Sequence, residues 1–191
     1  MDRSIIEEVE KTYKILHSGG VILYPTDTVW GLGCDALNAR AIDRVYKIKK
    51  RKAEKSMIIL LDDLERVSDY VTFIPEILPD LIENFDRPLT VIYDKGKNLP
   101  KNLLADDGSI AIRIVKDEFC RPLIKRLGRP LISTSANVSG EPAPLIFSHI
   151  SSKIRDQVDY TVELFRDRLG LSKTSTIIRL HNDGNYEVVR E

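Results

Sequence analysis

Apolar positions recur along this chain in two rhythms, one of three and four residues and one of two. Ile5, Ile6, Val9, Tyr13 and Leu16 fall at helical spacing behind the capping pair Ser4 and Glu7, and Gly19-Gly20 closes the segment. Residues 21–24 follow as a strand that Pro25 stops. Asn38 then caps a second helix carrying Ile42, Val45, Tyr46 and Lys49, ahead of a short apolar run at 57–61. Further helices are predicted near 64–70, 75–85, 119–127 and 146–155, with Pro79 interrupting the start of the second. Strands are predicted at 89–93, 110–115, 130–132, 158–165, 176–180 and 186–189, the last two joined by the turn Asn182-Asp183-Gly184. Interleaved helices and strands with one late hairpin predict a mixed, twisted sheet covered by helices, an α/β fold of three layers.

The length of 191 residues suits one domain with a continuous core, expected to span 1–191. Lys plus Arg and Asp plus Glu each number 29, so no global field draws the chain to nucleic acid or to a membrane, and any anion site must be local. Cys34 and Cys120 have no CxxC spacing and the three histidines lie far apart, which argues against a zinc site or a disulfide framework. The start of the chain lacks the basic end and apolar stretch of an export signal, and no apolar run approaches membrane-spanning length; a cytoplasmic protein is expected.

Candidate chemistry gathers in separated loops. Tyr24-Pro25-Thr26-Asp27-Thr28-Val29-Trp30-Gly31-Leu32-Gly33 sets hydroxyls and a carboxylate before two glycines that permit a sharp turn or close approach to a ligand; it also reads as a strand exit closed by its own hydrogen bonds. Lys47 to Lys52, with Lys55, is a basic tract that opposes a helix dipole or, through Lys49 and Arg51, grips a phosphate-rich ligand. The strand exit Ser133-Thr134-Ser135-Ala136-Asn137-Val138-Ser139-Gly140 is dense in donors that serve an anion or the loop itself. Strand alternation puts Ser109, Ala111 and Arg113 on one face and Ile110 and Ile112 on the other. Ser175 opens a late strand and Arg190 ends one.

These motifs, together with Arg87-Pro88-Leu89-Thr90 and Ser175-Thr176-Ile177, stand in the order seen in the YrdC/TsaC family of L-threonylcarbamoyl-AMP synthases, which the chain resembles over residues 5–190. The resemblance implies the YrdC/RibB-like fold with a basic concave cleft. It implies that L-threonine, bicarbonate and ATP give threonylcarbamoyl-adenylate and pyrophosphate, for a tRNA threonylcarbamoyl-transferase system that modifies the adenosine next to the anticodon. Carried over residue by residue, Thr26, Thr28, Arg113, Ser133 and Ser175 fall at threonine positions. Lys49, Arg51, Lys55, Ser109, Ser135, Asn137 and Arg190 fall at nucleotide positions, with Lys49, Arg51 and Arg113 carrying the catalysis. Mg2+ is expected with ATP, without a dedicated protein cage.

The chain departs from the family pattern at several points. Trp30 replaces tyrosine, Lys52, Ser56 and Val115 stand where proline is common, Asp86-Arg87-Pro88 replaces a Pro-Gly-Pro segment, and Leu60 and Ala143 stand where some relatives carry a ligand-contacting His and Ser. Ending at Glu191, the chain resembles the short single-domain form. Two other classes share the features in part: a non-catalytic RNA-binding module with possible RNA contact through the same cleft, and a sugar-phosphate lyase or synthase, whose acidic metal ligands cannot be assembled here.

Overall fold

A computed structural model describes residues 2–50, 57–168 and 174–191. Helix α1 (Arg3–His17) buries Ile5, Val9, Thr12 and Leu16 along one stripe. Its cap is Asp2 rather than the expected Ser4: the Asp2 carboxylate accepts from both the backbone N–H and the hydroxyl of Ser4, which already lies inside the helix. β1 (Ile22–Tyr24) follows, then β2 (Gly31–Gly33), a strand where the two close-set glycines suggest a loop. Asn38 Oδ1 accepts from Ala41 N and starts α2 (Ala39–Lys49), which ends on Lys50 at φ +50°. β3 (Ile58–Leu61) comes next.

The expected helices at 64–70 and 75–85 shrink to a 3-10 turn at Glu65–Asp69 and to α3 (Leu78–Asn84), whose first turn holds Pro79. β4 (Leu89–Tyr93), β5 (Ile110–Ile114), α4 (Cys120–Leu127) and β6 (Leu131–Ser135) then follow; β6 outruns its predicted three residues and reaches the hydroxyl-rich segment. In place of one helix at 146–155 there is a 3-10 turn at Phe147–His149 and then α5 (Ser152–Arg155). Ile150 is extended between them, and Ser151 caps anew by accepting from Lys153 N. β7 is only Tyr160–Thr161, and β8 (Thr176–Leu180) and β9 (Tyr186–Arg190) form the predicted hairpin, turning at Gly184 with φ +86°.

Among the described residues nine strands form one sheet in the order β7-β1-β2-β6-β3-β5-β4-β8-β9, with parallel pairs at β1–β7, β3–β5 and β4–β8 and antiparallel pairs elsewhere. The mixed α/β expectation holds. One face, with Leu23, Leu32, Ile59, Val91, Ile112 and Ile178, packs against α2, α3 and α5. The opposite face is covered only in part: α1 and α4 lie over Ile22, Tyr24, Leu60 and Leu131. The register pairs Leu60 with Arg113, Ile58 with both Ala111 and Ser133, Gly31 with Ser135, and Ile177 with Arg190. Paired residues share a face, so the remainder of this face bears arginines and hydroxyls.

Gly31 and Gly33 serve the sheet itself. A Cβ on Gly33 would sit 2.0 Å from the Ile132 carbonyl oxygen and 2.9 Å from the Tyr24 ring, and one on Gly31 would sit 3.2 Å from the same ring. Tyr24 can therefore lie flat across β2, its hydroxyl donating to Ile132 O at 2.9 Å. That packing, not a sharp turn, explains the glycine spacing in the first motif.

Candidate functional site

Where α1 and α4 end their cover, the sheet face opens into a cavity of about 230 Å³. Its wall gathers Thr28, Arg113, Ser133, Ser135, Ser175 and Arg190, six of the predicted positions drawn from five separated segments, with Trp30, Met57, Ile92 and Ile177 as apolar lining. β5 carries Arg113 in from the floor. Ile110 and Ile112 anchor the other face of that strand in the core, so alternation obliges Arg113 to project toward the cavity.

Arg113 is only 3% exposed. Its Nη1 donates to Thr28 Oγ1 at 3.3 Å. Its Nη2 stands 3.1 Å from Asp27 Oδ1, an ion pair by distance whose angle leaves that oxygen, and Arg113 Nε, without a hydrogen bond. A buried guanidinium in the wall of a cavity is a site for an anion, because desolvation has already weakened its competing contacts with water. Burial raises the Asp27 carboxyl above its ordinary value while the Arg113 charge pulls it back down. Burial lowers the Arg190 guanidinium, and like charge from Arg113 lowers it further. An anion lying between the two arginines would relieve that repulsion.

Hydroxyls complete the wall. Ser175 Oγ and Thr90 Oγ1 are 2.8 Å apart, and Arg190 Nη2 donates to Ser175 O at 2.9 Å. Thr90 is fully buried behind Ser175 and was missed as a contributor, although it closes the Arg87-Pro88-Leu89-Thr90 motif. Asp27, the partner of Arg113, was likewise absent from the expected set.

Other expected positions lie elsewhere. Lys49 is 2% exposed, and its ammonium donates to the carbonyl oxygens of Ser135 and, at 2.7 Å, Asn137, and to Asn137 Oδ1 at 3.3 Å; it braces the loop after β6 and is not among the cavity's lining residues. Asn137 turns its amide onto Val138 O and Glu141 O and shapes the same loop. Ser109 sits at the entry to β5, its backbone N–H on Asp107 Oδ1, away from the lining. Thr26 lines a neighbouring cavity of about 310 Å³, behind the 25–30 loop, with Asp117 and Phe165. Leu60 is fully buried beneath α1 and α4, so a side chain there faces the core. Arg51 and Lys55 lie outside the described residues.

Among the described residues no three His, Cys, Asp or Glu side chains gather in a way that could hold a metal ion. Cys34 and Cys120 are buried, and burial pushes both thiols up, so neither is a nucleophile. Among the described residues no helix is long and apolar enough to cross a membrane.

Comparison with known proteins places this geometry in company. Residues 14–191 match the Sua5/YciO/YrdC family model, described as "Telomere recombination". A threonylcarbamoyl-AMP synthase of Pseudoalteromonas translucida is 36% identical over 151 residues, 78% of this chain and 81% of the relative. Another, of Stutzerimonas stutzeri, is 32% identical over 186 residues, 95% of this chain and 96% of the relative. Among solved structures, Pyrococcus abyssi Sua5 complexed with L-threonine superposes with a TM-score of 0.83 at 26% identity, covering 95% of this chain. This chain spans about half of that one, 53%. Escherichia coli YciO superposes with a TM-score of 0.82 at 27% identity, covering 96% of this chain and 88% of its own.

Proposed function

We infer the function from a premise of kinship: the chain belongs to the Sua5/YciO/YrdC family, and we propose that it is an L-threonylcarbamoyl-AMP synthase. Its substrates are L-threonine, bicarbonate and ATP. Threonine's amine and bicarbonate condense to a carbamate with loss of water, and a carbamate oxygen attacks the α-phosphorus of ATP. The new P–O bond forms as the bond to pyrophosphate breaks, with the two oxygens in line. The adenylate then passes to the tRNA threonylcarbamoyl-transferase system in the cytoplasm.

The observation that carries this reading is the buried Arg113 guanidinium in the wall that also holds Thr28, Ser133, Ser135 and Ser175. Arg113 takes the threonine carboxylate, and the hydroxyls of Thr28, Ser133 and Ser175 take its remaining polar groups. Ser135 and Arg190 take the nucleotide, with Ser109 as a further hydroxyl toward it. The triphosphate is assigned to Arg51 and Lys55 of the basic tract. Lys49 and Asn137 act by holding the end of β6, which presents Ser135, against the loop that follows it. No covalent nucleophile is required, since positioning and charge neutralisation suffice for an in-line displacement. Mg2+ would come bound to the triphosphate as part of the substrate, since the described residues do not furnish a cage for it.

Incubating the protein with ATP and bicarbonate, with and without L-threonine, tests the reading through pyrophosphate release. Release that depends on threonine is expected. Release that is independent of threonine, or none at all, would reject it.

A further inference from the structure

The hydrogen bonds of the loop between β1 and β2 determine where the Thr28 hydroxyl proton points. Thr26 Oγ1 donates its one proton to Val29 O at 2.7 Å. The same oxygen accepts from Thr28 N at 3.1 Å and lies 3.0 Å from Thr28 Oγ1. A hydroxyl has one proton to give and two lone pairs to receive with. With its proton already placed on Val29, Thr26 can only accept from Thr28, so the Thr28 proton is directed at Thr26. Thr28 Oγ1 in turn accepts from Arg113 Nη1. One lone pair is all that Thr28 retains for the cavity.

We propose that Thr26 is a positioning residue that fixes Thr28 as a hydrogen-bond acceptor. The substrate group set against Thr28 is then a donor, the amino N–H or the side-chain O–H of the amino acid, and not its carboxylate, which is left to Arg113. Two acceptors facing each other across a dry site would repel, so this polarity excludes a reversed amino acid. The inference rests on the threonine reading of the cavity, and it gives Thr26 a role without substrate contact: Thr26 lines the cavity behind the loop, whereas Thr28 lines both.

The test is calorimetric titration of L-threonine, in the presence of a non-hydrolysable ATP analogue, into the wild type, Thr26→Val, Thr26→Ser, Thr28→Val and the double variant. Thr26→Val should bind threonine about tenfold more weakly while affinity for the analogue stays within about twofold, and Thr26→Ser should recover to within about threefold. Because Thr26 acts through Thr28, adding Thr26→Val to Thr28→Val should weaken binding by no more than about twofold. Thermal unfolding follows each variant, and if Thr26→Val does not fold, Thr26→Ala takes its place in the cycle. Wild-type affinity in Thr26→Val, or losses that add independently, would overturn the proposal. A wild type that does not bind threonine would overturn the proposed function and this inference with it; a wild type that binds beside an unaffected Thr26 variant would overturn the inference alone.

Discussion

Two parts of one sheet face are built from neighbouring strands and behave as opposites. Beneath α1 and α4, Ile22, Tyr24, Leu60 and Leu131 are fully buried among aliphatic and aromatic neighbours. Beyond the helices, β6 goes on to present Ser133 and Ser135, β5 presents Arg113, and β9 adds Arg190. In the register Leu60 is the direct neighbour of Arg113, so the boundary between core and site falls between adjacent strands. The packed part is held by area removed from water. The open part holds polar groups at a desolvation cost that a polar, anionic ligand would offset. A site made this way needs no special fold, only a helix layer that stops short.

That contrast can be broken from either side. The largest effect is expected in the packed part: Leu131→Ala should lower unfolding free energy by about 2–5 kcal/mol, read by denaturant titration, with turnover per folded molecule unchanged. In the open part, Arg113→Lys keeps a positive charge beside Asp27 but lacks the planar fork, so stability should hold while threonine-dependent pyrophosphate release falls about 100-fold. At the seam, Gly33→Ala forces a methyl toward Ile132 O and should cost roughly 1–3 kcal/mol in thermal unfolding, by parting β2 from β6. Ser175→Ala should weaken threonine binding about tenfold in calorimetry and, by leaving the buried Thr90 hydroxyl without its partner, cost about 1–3 kcal/mol in thermal unfolding.

The smallest effect concerns pH. Asp27 has a folded pKa raised by burial from 3.8, so the folded state holds the proton more tightly than the unfolded chain. Its contribution to stability is fully present below 3.8 and is lost as pH rises through the raised value. Removing the Arg113 charge with Arg113→Met lifts Asp27 further and widens that window. Unfolding midpoints measured across the acidic range should therefore fall with pH more steeply in Arg113→Met than in the wild type.

Much of this arrangement was legible in the sequence, for reasons that differ by region. β4, β5 and the β8–β9 hairpin follow from alternation and a Gly turn, and the inward aim of Arg113 follows from the isoleucines beside it. α2 is legible in its cap and its apolar spacing. β2 was hidden because three residues with two glycines carry no strand signal; only the Tyr24 ring that covers them gives the glycines a reason. The paired segments at 146–155 were hidden because helical spacing continues across Ile150, where the backbone is extended. In the site, motif order picked out the residues that reach the cavity, but it could not separate a side chain that meets a ligand from one that holds a neighbour. Lys49 illustrates this: its charge suggests a phosphate contact, and its burial and its bonds to Ser135 and Asn137 make it a brace. Thr90 and Asp27 are the converse, ordinary in sequence and placed by the fold against Ser175 and Arg113.

A crystal structure of the protein grown with L-threonine tests the proposal that the uncovered part of the face receives the amino acid. A threonine carboxylate is expected within hydrogen-bonding distance of the Arg113 guanidinium, with a donor group of the ligand on Thr28. Threonine seated instead behind the 25–30 loop, against Asp117 and Phe165, would contradict it.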